Sequence, residues 1–220
     1  MNNFLERNKS WLRLGIVLFY LIIVFLPGYV FFSQRGGFNF YQTGNFKTFA
    51  SLIFPVFGLY AFTLVWAQTI IGMNMAKLTR VFPKVLNFHR TQGLFALLFA
   101  VTHAAAVPFI YTIQLYIGYK FLPENLRVFA LLGTTAFFLM ILAVLAALFR
   151  KTKFLQKYWR YIHIANYLVF ILIFIHSRNL GSDIKNTILN QLWYFFLLTF
   201  LVSLFFRIKR VSSRRQVSST

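Results

Sequence analysis

HRTQGLFALLFAVTH, residues 89–103, decides the fold: a histidine stands at each end of an apolar stretch with the character of a membrane helix. HIANYLVFILIFIH, residues 163–176, repeats the arrangement with one residue fewer between its ends, and these two stretches hold all 4 histidines of the chain. Outward from them the composition stays apolar. Of 220 residues 59% are hydrophobic and 12% charged, unlike a water-soluble domain or a disordered chain. A hydrocarbon core of roughly 30 Å needs about 20 apolar residues per helix. Six runs meet that need, at about 14–32, 48–73, 91–112, 128–149, 161–177 and 191–206, with a polar tail over 208–220. The expected fold is all-α: a six-helix transmembrane bundle forming a single domain over residues 1–220.

Arg7, Lys9 and Arg13 precede the first run and resemble the start of a signal peptide. The run is longer than the apolar core of such a peptide, and FFSQRGG offers no small-residue cleavage site after it, so it is read as a retained helix. Basic residues then sort by connection. Lys77, Arg80, Lys84 and Arg90 lie between the second and third runs, and Arg150, Lys151, Lys153, Lys157 and Arg160 between the fourth and fifth. Arg207, Lys209, Arg210, Arg214 and Arg215 follow the sixth. The alternate connections hold only Arg35 and Lys47, Lys120 and Arg127, and Arg178 and Lys185. Lys/Arg excess marks the cytoplasmic side, so both termini are expected there, in a multi-pass protein of the bacterial inner membrane. The net charge of +20 reads as topology signal and contact with anionic membrane lipid rather than as a nucleic-acid surface.

The absence of cysteine excludes disulfides, thiolate-ligated or covalently attached c-type haem, and iron–sulfur clusters. The 3 carboxylates, Glu6, Glu124 and Asp183, fall outside the runs, which excludes a carboxylate relay or di-metal centre within the membrane. No glycine-rich phosphate loop follows a strand and no internal repeat is evident, so any nicotinamide chemistry belongs to another chain.

At about 1.5 Å per residue, His89 and His103 stand roughly 21 Å apart, and His163 and His176 roughly 19–20 Å apart. The third and fifth spans run in the same direction, so equal-depth partners form across them, one pair above the other. Fourteen residues is close to four turns, and His89 and His103 share a face within about 40°. Thirteen leaves His163 and His176 about 140° apart on a straight helix, and convergence then requires rotation, tilt or a local bulge. Gly93, Ala96, Ala100 and Ala104 follow the histidine face of the third span. Such a stripe permits close helix packing or a flat ligand against the backbone.

Two axial imidazoles fill both open positions of a haem iron, an arrangement suited to electron transfer. Arg90, Lys157 and Arg160 near one pair and Arg178 near the other are candidates to neutralise haem propionates, and each also reads as an interfacial side chain. A histidine-lined metal transporter remains the alternative of another class, although pairs about 20 Å apart without membrane carboxylates make a poor ion relay.

The spacing of the two quoted stretches, fourteen and then thirteen from histidine to histidine, with Arg90 and Gly93 just after the first, resembles that of the ferric reductase-like transmembrane domain. That domain is shared by NADPH oxidases, ferric reductases and the membrane haem subunit of the methionine-sulfoxide reductase system. The resemblance implies two b-type haems between the third and fifth helices, an inner one on His89 and His163 and an outer one on His103 and His176. It also implies an electron-transfer oxidoreductase or a subunit of one, carrying electrons outward to ferric iron or a partner protein. The donor is expected on the cytoplasmic side: FMN or FAD, bound there or on a partner, or a quinol-linked protein. Ferric reductases and NADPH oxidases commonly carry a flavin- and nicotinamide-binding domain after the sixth helix, whereas a short polar tail follows it here. By length the chain resembles the haem subunit that serves a soluble extracytoplasmic reductase. By its ligand set, His89 included, it resembles the reductases and oxidases.

The stretches GGFNFYQTGN, residues 36–45, and YKFLPENLR, residues 119–127, read as outward-facing connectors. Trp11, Trp159 and Trp193 read as interfacial anchors, and Pro55 as a kink in the second span.

Overall fold

The computed structural model describes residues 9–37, 45–111, 115 and 117–217. These form α1 (Lys9–Ser33), α2 (Phe46–Met73), α3 (Met75–Val81), α4 (Val85–Ile110), α5 (Glu124–Leu148), α6 (Lys153–Ile164), α7 (Asn166–Leu180) and α8 (Ile188–Val217), with a 3-10 turn at Ile117–Tyr119. Six helical segments are long and apolar enough to cross a membrane, the fifth being α6 and α7 taken together as Lys153–Leu180. The chain is a multi-pass integral membrane protein.

Most ends lie a few residues beyond the apolar runs, because helical hydrogen bonding continues into the interfacial residues that hydropathy alone excludes. The largest departure is the polar tail, which is helical to Val217 rather than ending near 206. Most of the 36–45 connector lies outside the described residues, as do Glu6 and Arg7. α2 passes through Pro55 as one continuous helix.

α2 and α4 form the most extensive helix pair and α5 and α7 the next, with α6 also seated on α5. The core is aromatic. Phe62, Phe170, Trp193, Phe196 and Phe200 are fully buried where α2, α7 and α8 meet, and Phe170 stacks on Phe200 at 4.3 Å between centroids. Leu98, Phe138 and Leu198 on the outer faces are exposed, as lipid-facing side chains are. Trp193 is not an interfacial anchor. Its indole N–H donates to Ser177 Oγ at 2.9 Å, which satisfies the polar atom and lets the ring sit in the core. Trp11 is exposed, as an anchor would be.

The fifth span breaks between its histidines. α6 ends at Ile164, α7 begins at Asn166, and the Ala165 N–H donates to Ile162 O at 3.0 Å, three residues back. A three-residue turn advances about 120° per residue instead of 100°. This overwinding acts in the sense the thirteen-residue spacing needs, since a straight helix falls about 140° short of a whole turn.

Candidate functional site

The four histidines meet in two pairs. His89 on α4 faces His163 on α6 with ring centroids 6.3 Å apart and planes crossing at 82°. His103 on α4 faces His176 on α7 at 6.5 Å and 85°. Each pair borders its own cavity. The first, of about 600 Å³, is lined by both its histidines, Gly72, Gly93, Ala96 and Trp159. The second, of about 700 Å³, is lined by both of its histidines, Gly58, Ala100, Ala104 and Gly133. Both volumes lie in the range of cofactor sites. The small-residue stripe of α4 thus borders open space at both levels, and Met140 on α5 lines both cavities.

Three of the rings are oriented through Nδ1. His103 Nδ1 lies 3.1 Å from Phe54 O, His176 Nδ1 2.8 Å from Phe129 O, and His163 Nδ1 3.5 Å from Ala143 O, a longer and weaker contact. A carbonyl oxygen can only accept, so at His103 and His176 these contacts place the proton on Nδ1 and leave the Nε2 lone pair free for a ligand, whereas His163 Nδ1 has both Ala143 O and the closer Asn166 Nδ2 beside it. His89 Nδ1 is buried without a hydrogen-bond partner, while its backbone oxygen accepts from Gln68 Nε2 at 2.8 Å.

The carbonyls that face His103 and His176 each precede a glycine by four residues, in FPVFG (54–58) and FALLG (129–133). A Cβ at Gly58 would lie 2.8 Å from His103 Cε1, and one at Gly133 would overlap the His176 ring. Each glycine is a notch in the facing helix that brings the ring against the carbonyl one turn back. α2 repeats the notch fourteen residues on at Gly72, whose Cβ would meet His89 Cε1 at 3.6 Å, and α5 carries Ala147 at the corresponding place in the wall of the first cavity. Reading the histidine helices alone missed these residues. The signal was the matching Phe-x-x-x-Gly pair and the fourteen-residue step from Gly58 to Gly72, equal to that between His89 and His103.

Asn166, also missed, stands at the break in the fifth span. Its Nδ2 donates to His163 O at 3.0 Å and lies 3.3 Å from His163 Nδ1. Asn166→Ala should cost about 1 kcal/mol and loosen the His163 ring while sparing the other pair. Thermal unfolding and ligand occupancy at each pair measure this.

The charged residues divide unevenly. Arg90 and Arg160 line the first cavity, joined by Arg150 and Arg207, which sequence reading had left in the topology count. Trp159 lines it as well, 6.1 Å from the His163 ring, and is a wall residue rather than a lipid anchor. Lys157 is exposed on α6 and is not in the wall. Arg178 is turned from the second cavity, donating to Asn190 Oδ1 and to Tyr194 OH at 3.0 Å. The tail of α7 packs on α8 there, and those acceptors satisfy the guanidinium. Arg35 takes its place in the wall, paired with buried Asp183 at 2.6 Å and stacked on Phe31. Asp183→Asn would leave Arg35 without its counter-ion; with Arg35 partly exposed the loss is about 2 kcal/mol, read as a lowered unfolding midpoint.

The 119–127 connector does more than join helices. Tyr119 and Phe121 line the second cavity, Tyr119 OH donates to Thr134 Oγ1 at 2.7 Å, and Phe121 stacks on Tyr111 at 4.3 Å. Gly118 and Tyr119 both adopt positive φ, of 68° and 55°, which turns the chain over the opening.

Metal–imidazole bonds are about 2.0–2.1 Å, and a five-membered ring with bonds of about 1.35 Å has a radius of about 1.15 Å. Two rings facing one ion along their nitrogens therefore sit with centroids about 6.4 Å apart, the spacing of both pairs. The cavities accommodate a flat apolar group, and the first adds cations for acidic substituents. The residues present fit a bis-histidine haem at each level. Among the described residues no three His, Cys, Asp or Glu side chains converge to hold an ion in another way.

No curated protein and no solved structure matches the chain. A family model does, over residues 54–174, which takes in His89, His103 and His163 and stops two residues short of His176. Covering more than half of the sequence, that match to the ferric reductase like transmembrane component places the chain in a family of membrane electron-transfer components, and the protein belongs to it.

Proposed function

We propose that the protein is a b-type cytochrome, a single six-span domain over residues 1–220, that carries electrons across the membrane in which it is embedded, the bacterial inner membrane. His89 and His163 hold one haem and His103 and His176 the other. The observation that carries this reading is the separation of both pairs, 6.3 and 6.5 Å with nearly perpendicular rings, a spacing suited to one iron between two nitrogens. Bound haem supplies reversible one-electron chemistry at its iron.

The chain's own residues do the rest. Phe54 O and Phe129 O fix the tautomer and tilt of the His103 and His176 rings, and Arg90, Arg150, Arg160 and Arg207 offer guanidinium groups to propionates at the first cavity. Met140 separates the two chambers, and Tyr111, Tyr119 and Phe121 limit water at the second. Six crossings bring both termini to one face. The distribution of Lys and Arg assigns that face, with the His89–His163 pair, to the cytoplasm. A flavin- or quinol-linked donor then serves that side, and ferric iron or an extracytoplasmic reductase accepts on the other.

The test is the optical spectrum of purified protein, oxidised and dithionite-reduced, with haem counted per polypeptide. Two low-spin b haems per chain are expected. Colourless protein after haem supplementation would overturn the assignment, and metal flux in vesicles holding such protein would turn it toward transport.

A further inference from the structure

α6 presents three faces around its length. Trp159 and His163 point to the first cavity. Lys153 and Lys157 form an exposed basic stripe that lines neither cavity, and Phe154, Tyr158 and Tyr161 an exposed aromatic one. At about 100° per residue the basic stripe falls between the other two, roughly 100° from each. No Asp or Glu occurs between Glu124 and Asp183, so no carboxylate of this segment neutralises the stripe. α6 is also set apart from α7 by the break at Ala165, and its far end begins after the turn at Arg150–Thr152.

We infer that α6 lies in the membrane interface and binds anionic lipid head groups along Lys153 and Lys157, and that this anchorage holds His163 against α5. Aromatic side chains flanking a basic stripe match the interface, with rings at the acyl boundary and ammonium groups at the phosphates. Across the break at Ala165 the tie to α7 runs through Asn166, which donates to His163 O, so the seat of His163 also depends on what else holds α6. On one side that is α5, and on the other the lipid. The lipid site stands on the helix geometry alone; its consequence for cofactor retention at the first pair rests on the function proposed above.

The experiment places the full chain in nanodiscs of phosphatidylcholine, with or without phosphatidylglycerol as the anionic lipid, and follows backbone amide exchange across residues 150–165. Phosphatidylglycerol should slow exchange in α6 and leave α7 unchanged. In Lys153→Gln/Lys157→Gln, whose altered residues line neither cavity, the response should vanish. Lipid retention by native mass spectrometry should weaken about 25-fold, at about fivefold per lysine. Equal exchange of wild-type α6 in the two lipids, or an undiminished response in the double variant, would overturn the inference. Unchanged exchange in α7 and α8 shows that the variant is folded. The readout needs no haem, so a colourless chain with a lipid-sensitive α6 would sink the cytochrome reading and leave this one standing.

Discussion

Alanine in place of His103 should take the protein from two haems per chain to one and abolish electron transfer to an outer acceptor. His103 has one ring nitrogen committed to Phe54 O, and the other is the only imidazole nitrogen opposite His176 at that level. No third donor stands ready. No His, Cys, Asp or Glu among the described residues joins the pair, and the nearby Asp183 is bound to Arg35. His176→Ala should give the same spectrum, because either loss would leave a single imidazole to hold the group at that level. His89→Ala and His163→Ala should each remove the other haem. Haem per polypeptide and the amplitude of the reduced α-band measure all four. Full haem content in His103→Ala would show that the spacing of the His103 and His176 rings arises from packing and not from coordination.

How far this site was legible in sequence differs from one helix to the next. Fourteen residues at 3.6 per turn return to the same face, so the ligand face of α4 followed from periodicity, and the structure has one continuous helix over both histidines. Thirteen do not. The break at Ala165 is encoded by no proline or glycine; the packing of α6 on α5 and the contacts of Asn166 locate it. Arg178 and Arg35 show the opposite failure. Sequence distance placed Arg178 beside His176, yet a helix turns a side chain by about 100° per residue, and two positions carry it round to α8. Arg35 sits on the far side of the sequence from His176, just past the end of α1, and reaches the cavity through Asp183 on the turn between α7 and α8. Trp193 misled for a related reason: an indole near a span end is an interfacial signal only when its N–H lacks a buried acceptor, and Ser177 supplies one.

The glycines give the second large effect. Gly133→Ala, a change of one methyl group on a helix with no histidine, should abolish the haem held by His176 as completely as losing that histidine. The added Cβ would sit 2.5 Å from His176 Cε1, nearer still to Nδ1, and the ring cannot retreat along its own helix while keeping its contact with Phe129 O. Overpacking of this kind costs about 1–3 kcal/mol in an ordinary core. Here the displaced atom belongs to a ring whose bond to a metal tolerates only small shifts, so the same clash is read as lost coordination. Gly58→Ala should act likewise on His103, where the new Cβ would be 2.8 Å from Cε1 and 2.9 Å from Nδ1. Gly72→Ala should spare the His89 site, since its nearest contact, at 3.6 Å, is ordinary van der Waals packing, and Gly15→Ala meets nothing within 4 Å. The four substitutions are chemically identical and all lie within helices, so helix propensity predicts a uniform gain for all of them. Two losses and two retentions, in that order, would follow only if the His103 and His176 rings occupy the notches; intact outer haem in both Gly58→Ala and Gly133→Ala would mean that the rings are seated elsewhere.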